Sequence, residues 1–387
     1  MDIRALAKDA ESYIIERRRY YHAHPELSKQ EKGTRDAIHK DLAALGITDI
    51  RDFDNCYGLI ANIHGGKPGK TVALRTDIDA LPVQEETGLP FASCNEGVMH
   101  ACGHDAHIAI LLGAAKILMQ VKDELCGTVR LIVQPDEETV SGSRLMIEGG
   151  ALEGVDAIYG AHVWGDVAAP YIDFSAGKRM AYAGLFNITV EGVSAHGSAP
   201  HLGADAITAA ASIIMNLQQY VSRVNDPLNP LVLTVGTIKG GTRCNVIPNR
   251  VHMDGTLRSF TKERHEEIMR RIIENTAAAL GVKATLEYEH VVDPVLNTDE
   301  HLVQLAQNAV TKLYGAESLG HLPMMMGSED FANYMSVVPG VFGFIGSGNP
   351  DKGCIYSNHH EKYDIDEDIL QRGAGVMAQF AVDFLRE

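Results

Sequence analysis

Eight consecutive residues, His100-Ala101-Cys102-Gly103-His104-Asp105-Ala106-His107, hold three imidazoles, a thiol and a carboxylate. Lone pairs this concentrated suit a metal ion, and imidazole with thiolate favours borderline-soft ions such as zinc over calcium or magnesium. Four further constellations could complete such a site. Asp77 and Asp79 follow the apolar run Val72-Ala73-Leu74. Two residues apart on an extended chain, their carboxylates point the same way, which suits one metal-facing and one orienting group. Asp136-Glu137-Glu138 follows another apolar run. Adjacent carboxylates repel one another unless a cation holds them, and neighbouring glutamates let one bind metal while the other moves protons. His162 ends a strand-like run, and His359-His360-Glu361 precedes the last helical segment. Taken singly, each has a plainer reading: turn capping before Pro82, a bare acidic loop, a core histidine, a surface pair. Together they offer about five or six ligands, enough for two ions sharing a water in aminopeptidase-type hydrolysis.

The elements that must position these groups alternate in type. Helical periodicity covers residues 3–22 and 31–45, and strand-like runs cover 57–64 and 71–76. An apolar helix over 108–118 follows the histidine cluster, then a strand at 128–134, a helix at 141–149 and a strand at 157–163. Such alternation predicts an α/β fold, a sheet covered by helices on both faces. The pattern changes near residue 184. Strand 185–193, helix 204–221, strands 231–238 and 250–259, helix 261–280 and strand 284–291 follow in the order of a split βαβ, or ferredoxin-like, unit. A chain of 387 residues is long for one core. The expected organisation is a discontinuous domain, 1–183 and 296–387, interrupted by a smaller one at 184–295. The returning segment carries a helix at 299–314, a Gly-rich stretch at 341–348 and a last helix at 366–385. Met324-Met325-Met326 reads either as core or as the lining of an apolar pocket.

The formal net charge of −17 opposes nucleic acid or anionic membrane as a partner. No run approaches the ~18–20 apolar residues of a membrane span. The N-terminal segment is charged and amphipathic, without a signal-peptide core. Six scattered cysteines form no disulfide framework. The expectation is a cytoplasmic protein with no nucleic-acid or membrane partner.

Several stretches resemble the M20 metallopeptidase family: Asp77-Ile78-Asp79-Ala80-Leu81-Pro82, Met99 through His107, Gln134-Pro135-x-Glu137-Glu138, Ala195-His196-Gly197-x-x-Pro200-His201, Asn245-Val246-Ile247-Pro248 and Gly327-Ser328-Glu329-Asp330-Phe331. The likeness is to its amidohydrolase branch of aminoacylases, hippurate hydrolases, auxin-conjugate hydrolases and N-acetyl-diaminopimelate deacetylases. It implies a di-metal catalytic domain with a mixed sheet flanked by helices, plus an inserted ferredoxin-like α+β lid. The metal ligands it implies are Cys102, His104, Glu138, His162 and His359, binding two divalent ions among zinc, manganese, nickel and cobalt. Glu137 would be the general base and Asp79 would orient a ligand. His196, Asn245 and Arg258 on the lid would serve the substrate, and the lid would pair two copies into a homodimer. The implied reaction is amide hydrolysis of N-acyl-amino acids. A dipeptidase or aminopeptidase acting on short peptides is the alternative, and an inactive metal-binding partner protein a more distant one. Asp77 stands where many relatives in the wider family have His, with Cys102 compensating as in the amidohydrolase branch. The chain departs from the family pattern in two places. Asp136 stands where a small residue is usual, and an added anion there would raise the pKa of Glu137 unless it points away. His359-His360-Glu361 replaces the His-x-Pro common in the branch, which leaves His359 and His360 competing for the last ligand position.

Overall fold

The apolar runs of the first half become strands of a seven-stranded mixed sheet in the computed structural model, which describes residues 1–261 and 264–387. The chain divides into two units. Met1–Arg179, Leu296–Pro323 and Asp330–Glu387 form the first, Met180–Val295 and Met324–Glu329 the second.

In the first unit the strand order is Asp49–Asp52, Leu59–His64, Cys126–Gln134, Lys67–Asp77, Ala157–Ala168, Gly340–Gly348 and Ile172–Asp173. The four central strands are parallel, and the outer pairings are antiparallel. Every residue of 157–163 is buried, which requires cover on both faces. Asp77 pairs with Gln134, and His162 with Phe344, so the parallel strands bring these side chains to the carboxyl edge of the sheet. Ligand sites of open α/β sheets gather at this edge.

The helix His104–Val121 is apolar on all sides, and from His104 to Leu118 only Lys116 escapes burial. A helix of that kind belongs inside. It packs against the helices Ile3–Ala23 and Asp368–Phe384. Close approach there leaves no room at Gly113, where a Cβ would lie 2.6 Å from the Ile14 side chain and 2.9 Å from Ala374. The helix starts at His104 because Gly103 takes φ 92, and a Cβ on Gly103 would meet Val163 Cγ2 at 2.5 Å. The sequence therefore fixes a helix mouth beside the strand that carries His162.

The second unit has a four-stranded antiparallel sheet in the order Leu231–Gly240, Arg250–Ser259, Tyr182–Glu191, Lys283–Val292. Burial alternates along Arg250–Ser259, as a sheet with one covered face demands. Ala206, Ala209, Ala210, Ile213 and Leu217 form one stripe of the helix Ala206–Gln219, and Met269, Ile273 and Ala277 one stripe of His265–Ala279. Both stripes join a core with the strands. Connectivity and spatial order are those of the split βαβ unit. A short ribbon pairs Ala195–His196 with Val246–Ile247.

Several elements differ from the sequence expectation. The second unit begins at Met180 rather than 184 and takes in Met324–Glu329, which the reading of the sequence left with the first domain. The reason is backbone pairing: Met180 bridges Met325, and Ala181 N donates to Gly327 O at 2.7 Å. Met324 is exposed, and Met325 and Met326 are half-buried, so the triplet is not core. The Gly-rich stretch is a fully buried strand, Gly340–Gly348. Glycine is needed because a Cβ at Gly343 would lie 2.3 Å from the Phe174 ring. The helix expected from 261 starts at His265, and residues 262 and 263 lie outside the described residues. All six cysteines are free thiols, and no described helix is long and apolar enough to cross a membrane.

Candidate metal centre

At the carboxyl edge of the first unit, Cys102 belongs to two groups of metal-ligand atoms: one with His104 and His162, the other with Glu138 and His359. Cys102 Sγ lies 3.4 Å from His162 Nε2 and 3.3 Å from His359 Nε2. His359 Nε2 is 3.5 Å from Glu138 Oε1, and His104 Nε2 is 4.0 Å from the same oxygen. The structure thus brings together Cys102, His104, Glu138, His162 and His359, with one atom of Glu137 within 4.8 Å of ligand atoms of His104 and Glu138.

Hydrogen bonds aim these atoms inward. His104 Nδ1 donates to the backbone oxygen of Asp79 at 2.8 Å and lies 3.2 Å from its Oδ1, leaving Nε2 toward the site. Asp79 Oδ2 also accepts from Glu138 N at 3.0 Å and Ser28 Oγ at 2.7 Å, so one carboxylate orients two ligand-type residues. His162 Nδ1 donates to Val163 O at 2.6 Å, which likewise frees its Nε2. His359 takes φ 72, and its N–H donates to Ala101 O at 2.7 Å. Asn358 Nδ2 donates to Cys102 O at 2.9 Å and its Oδ1 accepts from Gly165 N at 2.9 Å, which ties the loop to both other segments.

The donor set fits divalent ions. His104 Nε2 and Glu138 Oε1 are buried without a hydrogen-bond partner, an expense that a cation between them removes. Burial would lower His104, but the carboxylates of Asp77, Asp79 and Glu138 push it up to about 10. Burial and the Glu138, Glu137 and Asp77 carboxylates push the Cys102 thiol well above its usual range. Burial raises Glu138, against the pull of His104 and His359. Protons therefore stand where cations would. A divalent ion displaces them.

The other histidines of the cluster have separate tasks. His107 stacks on His104 with centroids 5.3 Å apart, yet both its nitrogens are engaged. Nδ1 is 2.6 Å from Asp77 Oδ1, and Nε2 accepts from Val163 N at 2.9 Å. Asp77 is held in turn by Arg75 NH1 at 2.6 Å, and Arg75 reaches Gln134 and Asp330. Asp105 accepts from Arg18 Nε at 2.9 Å and meets His22 Nδ1 at 2.8 Å. Burial alone would raise Asp105, but Arg18 and His22 hold it well below the carboxylate range. Burial lowers His100 to about 4. His360 stacks on Tyr356 at 4.3 Å, and its Nδ1 accepts from Lys362 N, so it does not join the group that holds His359. The carboxylate of Asp136 is taken up by the hydroxyls of Thr139 and Ser141. Ser28, Asn358 and the Arg18–His22 pair are positioning residues that the sequence reading missed. Nothing in their local pattern sets them apart.

His196, Asn245 and Arg258 lie in the second unit. His196 and Asn245 are exposed neighbours on the short ribbon, where Gly197 N donates to Asn245 O at 2.8 Å. Arg258 is half-buried on Arg250–Ser259 opposite Ala183, and burial lowers its pKa.

Residues 73–383 match the Peptidase family M20/M25/M40. The chain is 41% identical to the N-acetyl-L-cysteine deacetylase of Bacillus subtilis over 93% of this chain and 85% of that one. It is 38% identical to the Thermostable carboxypeptidase 1 of Saccharolobus solfataricus, over 97% and 96% respectively. The crystal structure of the Bacillus subtilis YXEP protein, described as a dinuclear metal binding peptidase from the M20 family, superposes with a TM-score of 0.87 at 37% identity, covering 98% of this chain and 99% of that one. The chain belongs to peptidase family M20/M25/M40 and is a hydrolase of its amidohydrolase branch.

Proposed function

We propose that this hydrolase cleaves the amide bond of N-acyl-amino acids, with two divalent cations held by Cys102, His104, Glu138, His162 and His359. The observation that carries this reading is the convergence of those five side chains in two groups sharing Cys102, with Glu137 beside them. When bound, the cations supply Lewis acidity toward the carbonyl and lower the pKa of water. Glu137 takes the proton of the attacking water on a carboxylate oxygen and returns it to the leaving nitrogen. Asp79 keeps His104 and Glu138 in register. The thiolate of Cys102 favours zinc, manganese, nickel or cobalt.

In the second unit we assign oxyanion stabilisation to His196 and Asn245, and recognition of the substrate carboxylate to the planar fork of Arg258. The edge strand Leu231–Gly240, with Val232 and Ile238 exposed, supports pairing of two copies through this unit. Six free thiols support a reducing, cytoplasmic location.

A panel of N-acetyl-amino acids, N-benzoyl-amino acids and free dipeptides, offered to metal-loaded enzyme, tests the substrate class. Turnover of the N-acyl compounds well above the dipeptides is expected, in line with the deacetylase relative. Faster dipeptide cleavage would assign the peptidase reading, which the carboxypeptidase relative favours. Metal uptake with no turnover on any compound would leave a metal-binding partner protein. Elemental analysis of the purified protein identifies the ions.

A further inference from the structure

Glu137 and Glu138 lie in a loop of the first unit whose backbone a free chain would not adopt. Asp136 ahead of them takes φ 56, and Val140 beyond them takes φ 60. Asp tolerates this left-handed region when its side chain bonds locally, but a β-branched residue is an outlier there. Such a conformation persists only where its surroundings impose it. The loop also closes tightly on its own start. Gly142 N donates to Asp136 O at 3.1 Å, and a Cβ on Gly142 would lie 1.7 Å from Pro135 O.

The bonds that impose it converge on Asp136, which is buried. One of its carboxylate oxygens accepts from the Thr139 hydroxyl and the other from the Ser141 hydroxyl. The side chain therefore spans the loop from its first residue to the far side of Glu137-Glu138. An anion beside two other carboxylates is repelled by them, and these bonds offset that cost. The Lys29 ammonium, on an exposed side chain 3.8 Å away, adds a counter-charge.

The clamp is backed by a second strained turn. Asp136 N donates to Glu31 Oε1 at 2.9 Å, and Glu31 ends the stretch Ser28-Lys29-Gln30-Glu31, in which Lys29 takes φ 66. The same stretch sends Ser28 Oγ to Asp79 Oδ2 at 2.7 Å, the oxygen that accepts from Glu138 N. Glu137 is thus bracketed. Asp136 holds the backbone on one side of it, and Asp79 holds the amide of Glu138 on the other.

We propose that Asp136 is a positioning residue for the reaction: its bonds to Thr139 and Ser141 keep the Glu137 carboxylate within reach of the His104 and Glu138 ligand atoms. The proposal rests on the reading of Glu137 as the base. Three variants separate the bonds from the charge. Asp136→Ala removes both, and Asp136→Asn keeps a side-chain oxygen and the left-handed preference. Thr139→Val with Ser141→Ala keeps the charge and removes the donors. Thr139 is exposed and Ser141 half-buried, so this double variant decides the matter even if Asp136→Ala fails to fold. Full-length, metal-loaded protein is assayed on the compound of the substrate panel that turns over fastest, and amide hydrogen exchange is followed for the peptide spanning 136–142. Asp136→Ala and the double variant should lower kcat about tenfold or more, with KM changed less than about twofold, because a displaced base costs rate rather than binding. Both should also speed exchange in that peptide, and Asp136→Asn should recover most of kcat. Unchanged exchange in the double variant, or faster exchange with a wild-type kcat, would overturn the proposal. So would equal losses in Asp136→Asn and Asp136→Ala beside a wild-type double variant, which would assign the effect to charge. Glu137→Gln in the same assay keeps the two readings apart: a wild-type rate there removes the base, while the exchange data still judge the clamp.

Discussion

The carboxyl edge of the seven-stranded sheet and the short ribbon at His196 both carry residues assigned to the reaction, but they hold them differently. At the sheet edge His104 and Asp79 are 0% and 1% exposed, His104 and His162 are each aimed by a bond from Nδ1, and Glu138 is tied through its N–H to Asp79. His359 is exposed and is placed by its backbone bond to Ala101 O. On the ribbon His196 and Asn245 are exposed, and His196 Nδ1 accepts from Ser198, the residue two further on. The first region is organised before any ion or substrate arrives, and so it loses little freedom on binding. The second must be ordered by whatever it meets, and that ordering is charged against affinity. Changes at the sheet edge should therefore act on metal and rate, and changes in the second unit on substrate affinity.

The largest effect should come from Glu137→Gln. The amide cannot accept the water proton, and kcat/KM should fall about 10²–10⁴-fold while elemental analysis shows unchanged metal. A wild-type rate with metal retained would sink the assignment of the base. Next is the pH dependence of metal uptake. His104 is raised to about 10 and Cys102 lies well above its usual range, so both hold protons near neutral pH and each must release one. Two protons displaced give an apparent affinity that rises roughly 100-fold per pH unit around neutrality, measured by competition with a chromophoric chelator. A flat profile would show that the ions bind elsewhere. The same shift has a consequence for the metal-free fold. Because the folded pKa of His104 is raised, its stabilisation is full below the ordinary value of about 6.5 and fades as pH rises through about 10.

Much of the sheet edge was legible in the sequence because its chemistry is local. Cys102 and His104 are two residues apart, as are Asp77 and Asp79, and each pair sits beside an apolar run whose type could be read. The alternation of elements likewise gave a sheet covered by helices on both faces and the split βαβ order. Illegible were the features set by distant packing. Nothing near Ser28 announces its bond to Asp79, and the competition between His359 and His360 turns on a φ of 72 and a stack on Tyr356. Three histidines in eight residues suggested a self-contained site, yet His107 spends both nitrogens on Asp77 and Val163, and the residues that join Cys102 and His104 in the groups sharing Cys102 come from three other segments. The buried strand Gly340–Gly348 was hidden for a related reason: its glycines answer to groups far away in sequence, Gly343 to the Phe174 ring and Gly346 to Ala168 O.

Asp79→Asn tests the preorganisation of the edge directly. The amide still accepts from Glu138 N but no longer offers a charge to His104, so metal affinity should drop about 10–100-fold and excess metal should restore the rate. Arg258→Ala probes the other side of the contrast and should be the mildest. Losing a charged hydrogen bond costs about 1.5 kcal/mol or more, so KM for an N-acyl-amino acid should rise roughly tenfold, with kcat less affected and metal content unchanged. Arg258→Lys keeps the charge but not the fork, and it should recover only part of the loss. The discriminating measurement is the same variant assayed on an N-acyl amine that lacks the carboxylate. If Arg258 recognises that group, the variant and the wild type should treat the truncated substrate alike. An equal loss on both substrates would mean that Arg258 supports the fold of its own sheet, and the contrast between an organised edge and a substrate-reading second unit would then rest on His196 and Asn245 alone.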